Sequence, residues 1–137
     1  MRHIKLTVIT FAFLVTACAT KKQEIKINDQ LLDFQSWTVM SVDELVEAGE
    51  QTYKGANSKQ FNSKTDTIRF DKDIIYISYL SIVNGCGQYG GDIEVKADSI
   101  ILKLNNLGGI ECTEQRCDRL IFKIKNTENK EYKIKKW

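Results

Sequence analysis

Apolar and polar residues alternate along much of the chain beyond residue 66, and this alternation predicts β-strands. In the segment RLIFKIK, the residues Leu120, Phe122 and Ile124 share one face, and two lysines lie on the other face. Since side chains alternate between the faces of a strand, this pattern is typical of antiparallel strands packed on one side and solvated on the other. IIYISYLSIV is apolar on both faces, which indicates a central strand. Further segments of strand character are TIRF, DIEVK, SIILKL and EYKIKKW.

The part of the chain before residue 67 predicts a first strand, a short helix and a long loop. DFQSWTVM alternates and predicts the strand. MSVDELVEAGE predicts the helix, because Ser41 can cap its start and Glu44, three residues later, can bond back to the cap. Gly49 favours an end to this helix. We expect the polar residues 51–66 to form a loop.

The order of these segments predicts a mainly β fold with one short helix after the first strand. Short turns between consecutive strands favour an antiparallel meander that curls into a small barrel or half-barrel. A two-layer α+β arrangement is the alternative. The length of 137 residues is enough for one domain and not for two.

The beginning of the chain has the pattern of a secretory signal. A basic start, an apolar core over residues 6–15 and two small residues precede Cys18. A membrane-spanning helix needs about 20 apolar residues, whereas lysines already stand at positions 21 and 22. We therefore predict a removable signal peptide over residues 1–17.

The sequence Val15-Thr16-Ala17-Cys18 resembles the lipobox of bacterial lipoproteins. The resemblance covers the first 18 residues and implies that the Cys18 thiol is acylated and that cleavage occurs before it. Two or more acyl chains anchor a protein stably, so the resemblance implies a membrane partner and a domain that faces the periplasm. An ordinary secreted protein is the alternative.

After the signal peptide, we predict two parts of the chain: a flexible polar tether over residues 18–30 and a single β-rich domain over residues 31–137. The tether has no acidic cluster after the cysteine, so surface export is not indicated. Ala19 stands where an Asp would resemble an inner-membrane retention signal, which favours the outer membrane. The order of a Trp-bearing strand, an excursion and a meander is similar in architecture to small lipocalin-like lipoprotein domains.

Cleavage changes the composition of the chain. The full chain has 20 basic and 18 acidic residues, and removal of Arg2 and Lys5 leaves 18 of each, so the net charge falls from +2 to zero. A neutral chain gives no support to nucleic-acid binding. His3, the single histidine, is removed too, which excludes Ser-His-Asp triads and His-ligated zinc from the mature chain. We therefore identify no catalytic residue, cofactor or metal site and predict that the chain is not an enzyme.

Three cysteines remain when Cys18 carries lipid. In an oxidising periplasm, Cys86, Cys112 and Cys117 are expected to form one disulfide and leave one thiol. The chain-entropy model gives roughly 2 kcal/mol for a Cys112–Cys117 bond and roughly 3.5 kcal/mol for a bond to Cys86. That difference leaves the connectivity open. A redox pair or a three-cysteine metal site are alternatives, although the spacing C-x₄-C is not that of thioredoxin-like sites.

The segment NGCGQYGGD has four glycines within seven residues, and glycine permits positive φ and close backbone approach. We expect a loop or bulged turn between two strands, with Tyr89 packed as a lid. The alternative is a pocket rim or backbone nest that binds an anion or a small ligand. The candidate ligand-loop residues are Gly85, Gly87, Tyr89, Gly90 and Gly91.

Charge is distributed unevenly along the chain. Residues 29–50 contain six acidic residues and no Lys or Arg, while residues 119–136 contain seven basic residues against two acidic ones. We expect the first and last elements to lie close together and attract one another. A basic face towards anionic lipid or an acidic partner is the alternative.

These observations predict a lipid-anchored module of the cell envelope that binds an unidentified small ligand or protein partner or has a structural role. One alternative is an inhibitor of an exported hydrolase such as lysozyme, since small disulfide-bearing β-barrel lipoproteins with that activity are similar in general shape. Tyr89 would then be the inserted side chain. A thiol-redox protein that uses Cys112 and Cys117 is the other alternative.

Overall fold

The computed structural model describes residues 27–137, and the alternation in the sequence is realised there as seven strands and two short helices. The elements in chain order are β1 (Leu31–Ser41), α1 (Val42–Glu47), α2 (Glu50–Ala56), β2 (Thr67–Asp71), β3 (Ile74–Asn84), β4 (Gly87–Val95), β5 (Ser99–Gly109), β6 (Gln115–Lys125) and β7 (Lys133–Lys136). The predicted mainly β fold is confirmed. Within this part of the chain, no helix has the length and apolar character needed to cross a membrane. The predicted signal peptide, Cys18 and the tether up to residue 26 lie outside the described residues.

The strands form two sheets that are not closed into a barrel. The first sheet has the order β1-β6-β3-β2 and is antiparallel throughout. In the second sheet, β4-β5-β7, the β4–β5 pair is antiparallel and the β5–β7 pair is parallel. The open arrangement fits the half-barrel form of the expectation. A simple meander is interrupted at β6, which pairs with both β1 and β3 and whose residues Leu120, Phe122 and Ile124 are buried there.

The main core lies between the two sheets. Phe122 of β6 is fully buried at its centre. Its ring meets Phe34 edge-on at 4.9 Å and stacks on Tyr79 of β3 at 6.0 Å between ring centres. The other buried members of this core are Ile75, Ile77, Ile93, Ile100, Leu102, Leu120 and Ile124. For most strands, the apolar face thus becomes the inner face of the sheet, whereas all five residues of β2 are exposed.

A second, smaller core lies on the outer face of the first sheet, where the two helices cover it. Leu45 of α1 and Ala56 of α2 pack there against Leu80 and Cys117. The predicted capping box forms: the Glu44 N–H donates to Ser41 Oγ at 3.2 Å, and the Ser41 N–H donates to Glu44 Oε2 at 2.8 Å.

The expectation of a loop over residues 51–66 is wrong in its first part, because α2 occupies Glu50–Ala56. Gly49, predicted to end the first helix, adopts φ 113° and caps the start of α2. Short helices are marginal by themselves. We attribute this helix to the packing of Tyr53 and Ala56 on the sheet, contacts that are invisible in a polar sequence.

The two sheets approach each other at β1 and β4, and residues assigned to the tether take part in this contact. The Asn28 N–H donates to Asp92 Oδ1 of β4 at 2.9 Å, and within the first sheet the Lys125 N–H of β6 donates to the Gln30 carbonyl at 2.8 Å. Residues 28 and 30 are therefore hydrogen-bonded to the strands. Lys123 of β6 also pairs with Asp33 of β1 at 3.1 Å, which is one contact of the kind expected between the acidic and basic segments.

Candidate functional site

A cleft of about 280 Å³ opens between the two sheets, and we refer to it as the inter-sheet cleft. Strand β3 contributes one wall and β5 the opposite wall, while the residues after α2 and the end of β7 border the opening. Its lining residues are Ala56, Asn57, Ser58, Lys59, Tyr79, Ser81, Val83, Tyr89, Leu102, Leu104, Lys136 and Trp137. Apolar walls with a few polar groups are typical of small-molecule sites.

A buried ion pair lies beside the cleft. Lys136 Nζ is 2.9 Å from Asp66 Oδ2, and the two side chains are only 5% and 2% exposed. The Asp66 carboxylate also accepts hydrogen bonds from the N–H groups of Asn62 at 2.9 Å and Leu80 at 3.3 Å. Buried charges are tolerated when they are paired and hydrogen-bonded in this way. The pair also joins the end of β7 in one sheet to the residue before β2 in the other.

Two aromatic rings complete the surroundings of the Lys136 ammonium. Nζ lies 4.9 Å from the ring centre of Phe61 and 4.8 Å from that of Tyr79. An ammonium group over an aromatic face is attracted by the ring quadrupole. The ammonium group is thus held in place by one carboxylate and two rings.

Tyr79 presents a hydroxyl group to this interior. Its ring is packed against Phe122 and Phe61, and the residue is 5% exposed. Among residues 27–137 the hydroxyl has no hydrogen-bond partner. Every side-chain oxygen that is sealed from solvent in this part of the chain does have one. The hydroxyl must therefore reach open space, and the open space that Tyr79 lines is the cleft.

The protonation state of Tyr79 follows from its surroundings. Burial and the nearby Asp66 carboxylate raise the pKa of the Tyr79 hydroxyl well above its usual value. The group is therefore a neutral phenol at physiological pH, and a phenol can both donate and accept a hydrogen bond.

The connectivity of the cysteines is settled by the structure. Cys86 and Cys112 form a disulfide with Cα atoms 5.9 Å apart. Cys117 is a free thiol that is fully buried under the helices, and burial raises its pKa. One disulfide and one remaining thiol are what the cysteine count predicted, but a Cys112–Cys117 redox pair does not form here.

The turn that carries Cys86 uses its own backbone donors. The N–H groups of Asn84, Gly85 and Cys86 donate to Tyr89 Oη at 3.1 Å, the Glu114 carbonyl at 2.8 Å and Asn84 Oδ1 at 3.0 Å, respectively. None of the three is available to an anion, which does not favour the alternative of a backbone nest in this turn. The Tyr89 hydroxyl is engaged too, which does not favour its insertion into a partner enzyme.

A guanidinium group holds the carbonyl side of the same turn. Arg116 donates to the carbonyls of Gly85 and Gly87, and its Nε lies 2.9 Å from Asp118 Oδ1. Together with the disulfide, these contacts tie the β3–β4 turn to the start of β6. The turn is a structural junction.

Most of the candidate ligand-loop lies in a strand. Gly87, Tyr89, Gly90 and Gly91 belong to β4, with a register shift after Gln88, so a short turn at residues 85–86 precedes β4 and a bulge interrupts its pairing with β5. None of the glycines from 85 to 91 has positive φ. Glycine fits at three of these positions because another side chain occupies the space that a Cβ would need. Tyr89 lies there at Gly87, Leu107 at Gly90 and Phe34 at Gly91.

The candidate residues are divided between two openings in the surface. Tyr89 lines the inter-sheet cleft. Gly90 and Gly91 form part of a separate apolar groove of about 380 Å³ beside Leu31, Leu32 and Leu107. The structure therefore does not bring the ligand-loop residues together in one site.

The sequence did not predict that Lys136 and Asp66 form a buried ion pair at the inter-sheet cleft. Lys136 is one of the seven basic residues counted over residues 119–136, yet it is buried while Lys133 and Lys135 are exposed. Tyr132, Ile134 and Lys136 are spaced by two residues and therefore lie on the same face of a strand. A lysine on this apolar face was the sequence feature that could have predicted its burial.

Groups of three or more His, Cys, Asp or Glu side chains placed to hold a metal ion are absent from residues 27–137. No protein-family model, curated protein or solved structure matches the chain, so the geometry of the cleft is the basis for its functional interpretation.

Proposed function

We propose that this chain is a lipid-anchored module of the bacterial cell envelope that binds a small ligand in the inter-sheet cleft. The observation that supports ligand binding is the Tyr79 hydroxyl, a nearly buried polar group that has no partner among the described residues and lies at the cleft. Because the hydroxyl faces the open cleft, it can bond to water or to a ligand that enters. A ligand with a matching polar atom would replace that water.

The groups around the cleft favour binding over catalysis. Lys136 is held by Asp66, and the raised pKa of Tyr79 keeps that hydroxyl neutral. An acid–base catalyst works best when its pKa is near the operating pH. The absence of histidine from the mature sequence points the same way.

The anchoring part of the proposal rests on the lipobox resemblance at residues 15–18. Eight residues lie between Cys18 and Ile27, the first described residue, and the extended chain from one to the other reaches at most about 30 Å. The cleft would thus work close to the membrane surface, on the periplasmic side and preferably at the outer membrane.

Metabolic labelling with radioactive palmitate tests the anchor. We expect label in the wild-type protein and none in Cys18→Ala, because the thiol of Cys18 is the proposed site of acylation. The variant Cys117→Ala is the matched control and should keep the label, since Cys117 is buried in the domain. An unlabelled wild-type protein would contradict the anchor.

A further inference from the structure

The residues at the inter-sheet cleft also restrict the chemistry of the ligand, and this inference rests on the proposed function. We infer that the cleft takes an uncharged ligand about the size of one substituted ring, with an apolar body and one hydrogen-bonding group that meets the Tyr79 hydroxyl.

The charge of the ligand follows from the ion pair. Lys136 and Asp66 neutralise each other, with 2.9 Å between Nζ and Oδ2. An anion drawn to Nζ would also approach the carboxylate, and a cation drawn to the carboxylate would approach Nζ. Neither charge would find an unpaired partner at this ion pair to replace its lost hydration, and an unpaired buried charge is strongly unfavourable. Lys59 also lines the cleft, but it is exposed to solvent, where an ion pair contributes little.

The size of the ligand follows from the volume and walls of the cleft. About 280 Å³ is just below the range of roughly 300–1,000 Å³ for ligand sites, so only a small ligand fits. Val83, Leu102 and Leu104 supply apolar wall, and the rings of Tyr89 and Trp137 supply aromatic surface. Removing an apolar ring from water against such surfaces is favourable.

The polar group of the ligand follows from Tyr79. Lys136 Nζ is already engaged by Asp66 and two rings, whereas the Tyr79 hydroxyl has no partner within residues 27–137. A neutral phenol both donates and accepts, so an amide, a carbonyl or a hydroxyl would satisfy it.

Three probes of one shape and different charge test the inference: benzamide, benzoate and benzylamine. Each is titrated into the purified full chain, labelled at the methyl groups of leucine and valine. We expect benzamide to shift the methyl signals of Val83, Leu102 and Leu104 saturably, and the two charged probes to bind at least about tenfold more weakly. The methyl signals of Leu45, buried under the helices, should not move.

Substitution of Tyr79 tests the hydrogen bond. Tyr79→Phe keeps the ring and its packing, and we expect it to weaken benzamide binding about fivefold to tenfold. Tyr76→Phe is the matched control, because the Tyr76 ring lies elsewhere on β3 with Arg69 4.8 Å from its centre. It should leave the affinity unchanged.

The outcomes separate the ligand class from the cleft itself. Equal or tighter binding of benzoate or benzylamine in the cleft would overturn the uncharged ligand and retain the cleft as a binding site. Unchanged benzamide affinity in Tyr79→Phe would overturn the role of the hydroxyl. If none of the probes shifts the cleft methyl groups, both the inference and the proposed ligand-binding function fail, whatever the palmitate labelling shows.

Discussion

Tyr79 has a hydroxyl at a position where its ring alone accounts for the packing. The ring contacts Phe61 and Phe122, and Lys136 Nζ lies 4.8 Å from its centre. Nothing among residues 27–137 bonds to the hydroxyl itself. This is the single-residue feature that connects the core to the proposed function, because the hydroxyl faces the cleft and can bond to what enters it.

The raised pKa of Tyr79 predicts a loss of stability at high pH. Above about pH 10 the unfolded chain releases the phenolic proton while the folded chain retains it. The free energy of unfolding should therefore fall as pH rises past this value, by up to about 1.4 kcal/mol per pH unit from this group. Below the unfolded pKa the contribution is fully present. Urea unfolding of wild type and Tyr79→Phe between about pH 9 and pH 11 measures it.

Other groups titrate in the same range, so the comparison of slopes decides the result. Tyr79→Phe should show a shallower fall than wild type, and Tyr76→Phe should follow wild type. Equal slopes in wild type and Tyr79→Phe would mean that the hydroxyl is solvated in the folded protein.

In β4, side chains from neighbouring strands leave room only for glycine at some positions. Its glycines look like a loop in the sequence, but Phe34 from β1 and Leu107 from β5 lie where a Cβ on Gly91 and Gly90 would stand. The glycines therefore report the close approach of other elements, and the β1 contact joins two different sheets. Local propensity does not depend on these distant side chains, and glycine is rare in strands, so the sequence pattern favours a loop here.

Gly91→Ala should destabilise the protein by about 1–3 kcal/mol, because the added methyl group overlaps the Phe34 ring. The companion substitution Phe34→Leu removes the ring, so the double variant should lose less stability than the sum of the two single variants. Urea unfolding of the four proteins completes the cycle. Additive losses would show that the ring does not lie over Gly91.

Over the whole molecule, the two sheets are joined at separate places. On one side, β1 and the residues before it meet β4, where Asn28 bonds to Asp92. Elsewhere the buried Lys136–Asp66 pair joins β7 to the beginning of β2. The disulfide between Cys86 and Cys112 adds a covalent tie near the β3–β4 turn. The inter-sheet cleft lies between surfaces whose separation these contacts help to set.

Lys136→Met should lower the free energy of unfolding by about 3 kcal/mol, because it leaves the Asp66 carboxylate buried without its counter-ion. Amide hydrogen exchange should accelerate most in β7 and around Asp66, and least at the β1–β4 contact. Lys133→Met is the control, since its pair with Asp98 at 3.4 Å is 77% and 69% exposed and such pairs contribute little. A loss no larger than that of the control would show that the pair does not join the sheets.

The sequence by itself determined the secondary-structure class, the position of nearly every strand, the capping box of α1 and the presence of one disulfide. These properties depend on side-chain alternation, local hydrogen bonds and cysteine number, all of which are local or countable. It also supplied the lipobox at residues 15–18, which stays a prediction.

Only the tertiary structure decided the strand order, the partner of Cys86 and the burial of Lys136 with Asp66. The disulfide and the ion pair join residues 26 and 70 positions apart, and β6 pairs with two strands that precede it by distant stretches of chain, so none of these contacts is local. In the same way, the Tyr79 hydroxyl became a candidate binding group only when the cleft between β3 and β5 was formed. A tyrosine on an apolar strand is ordinary core until the fold leaves open space beside its oxygen.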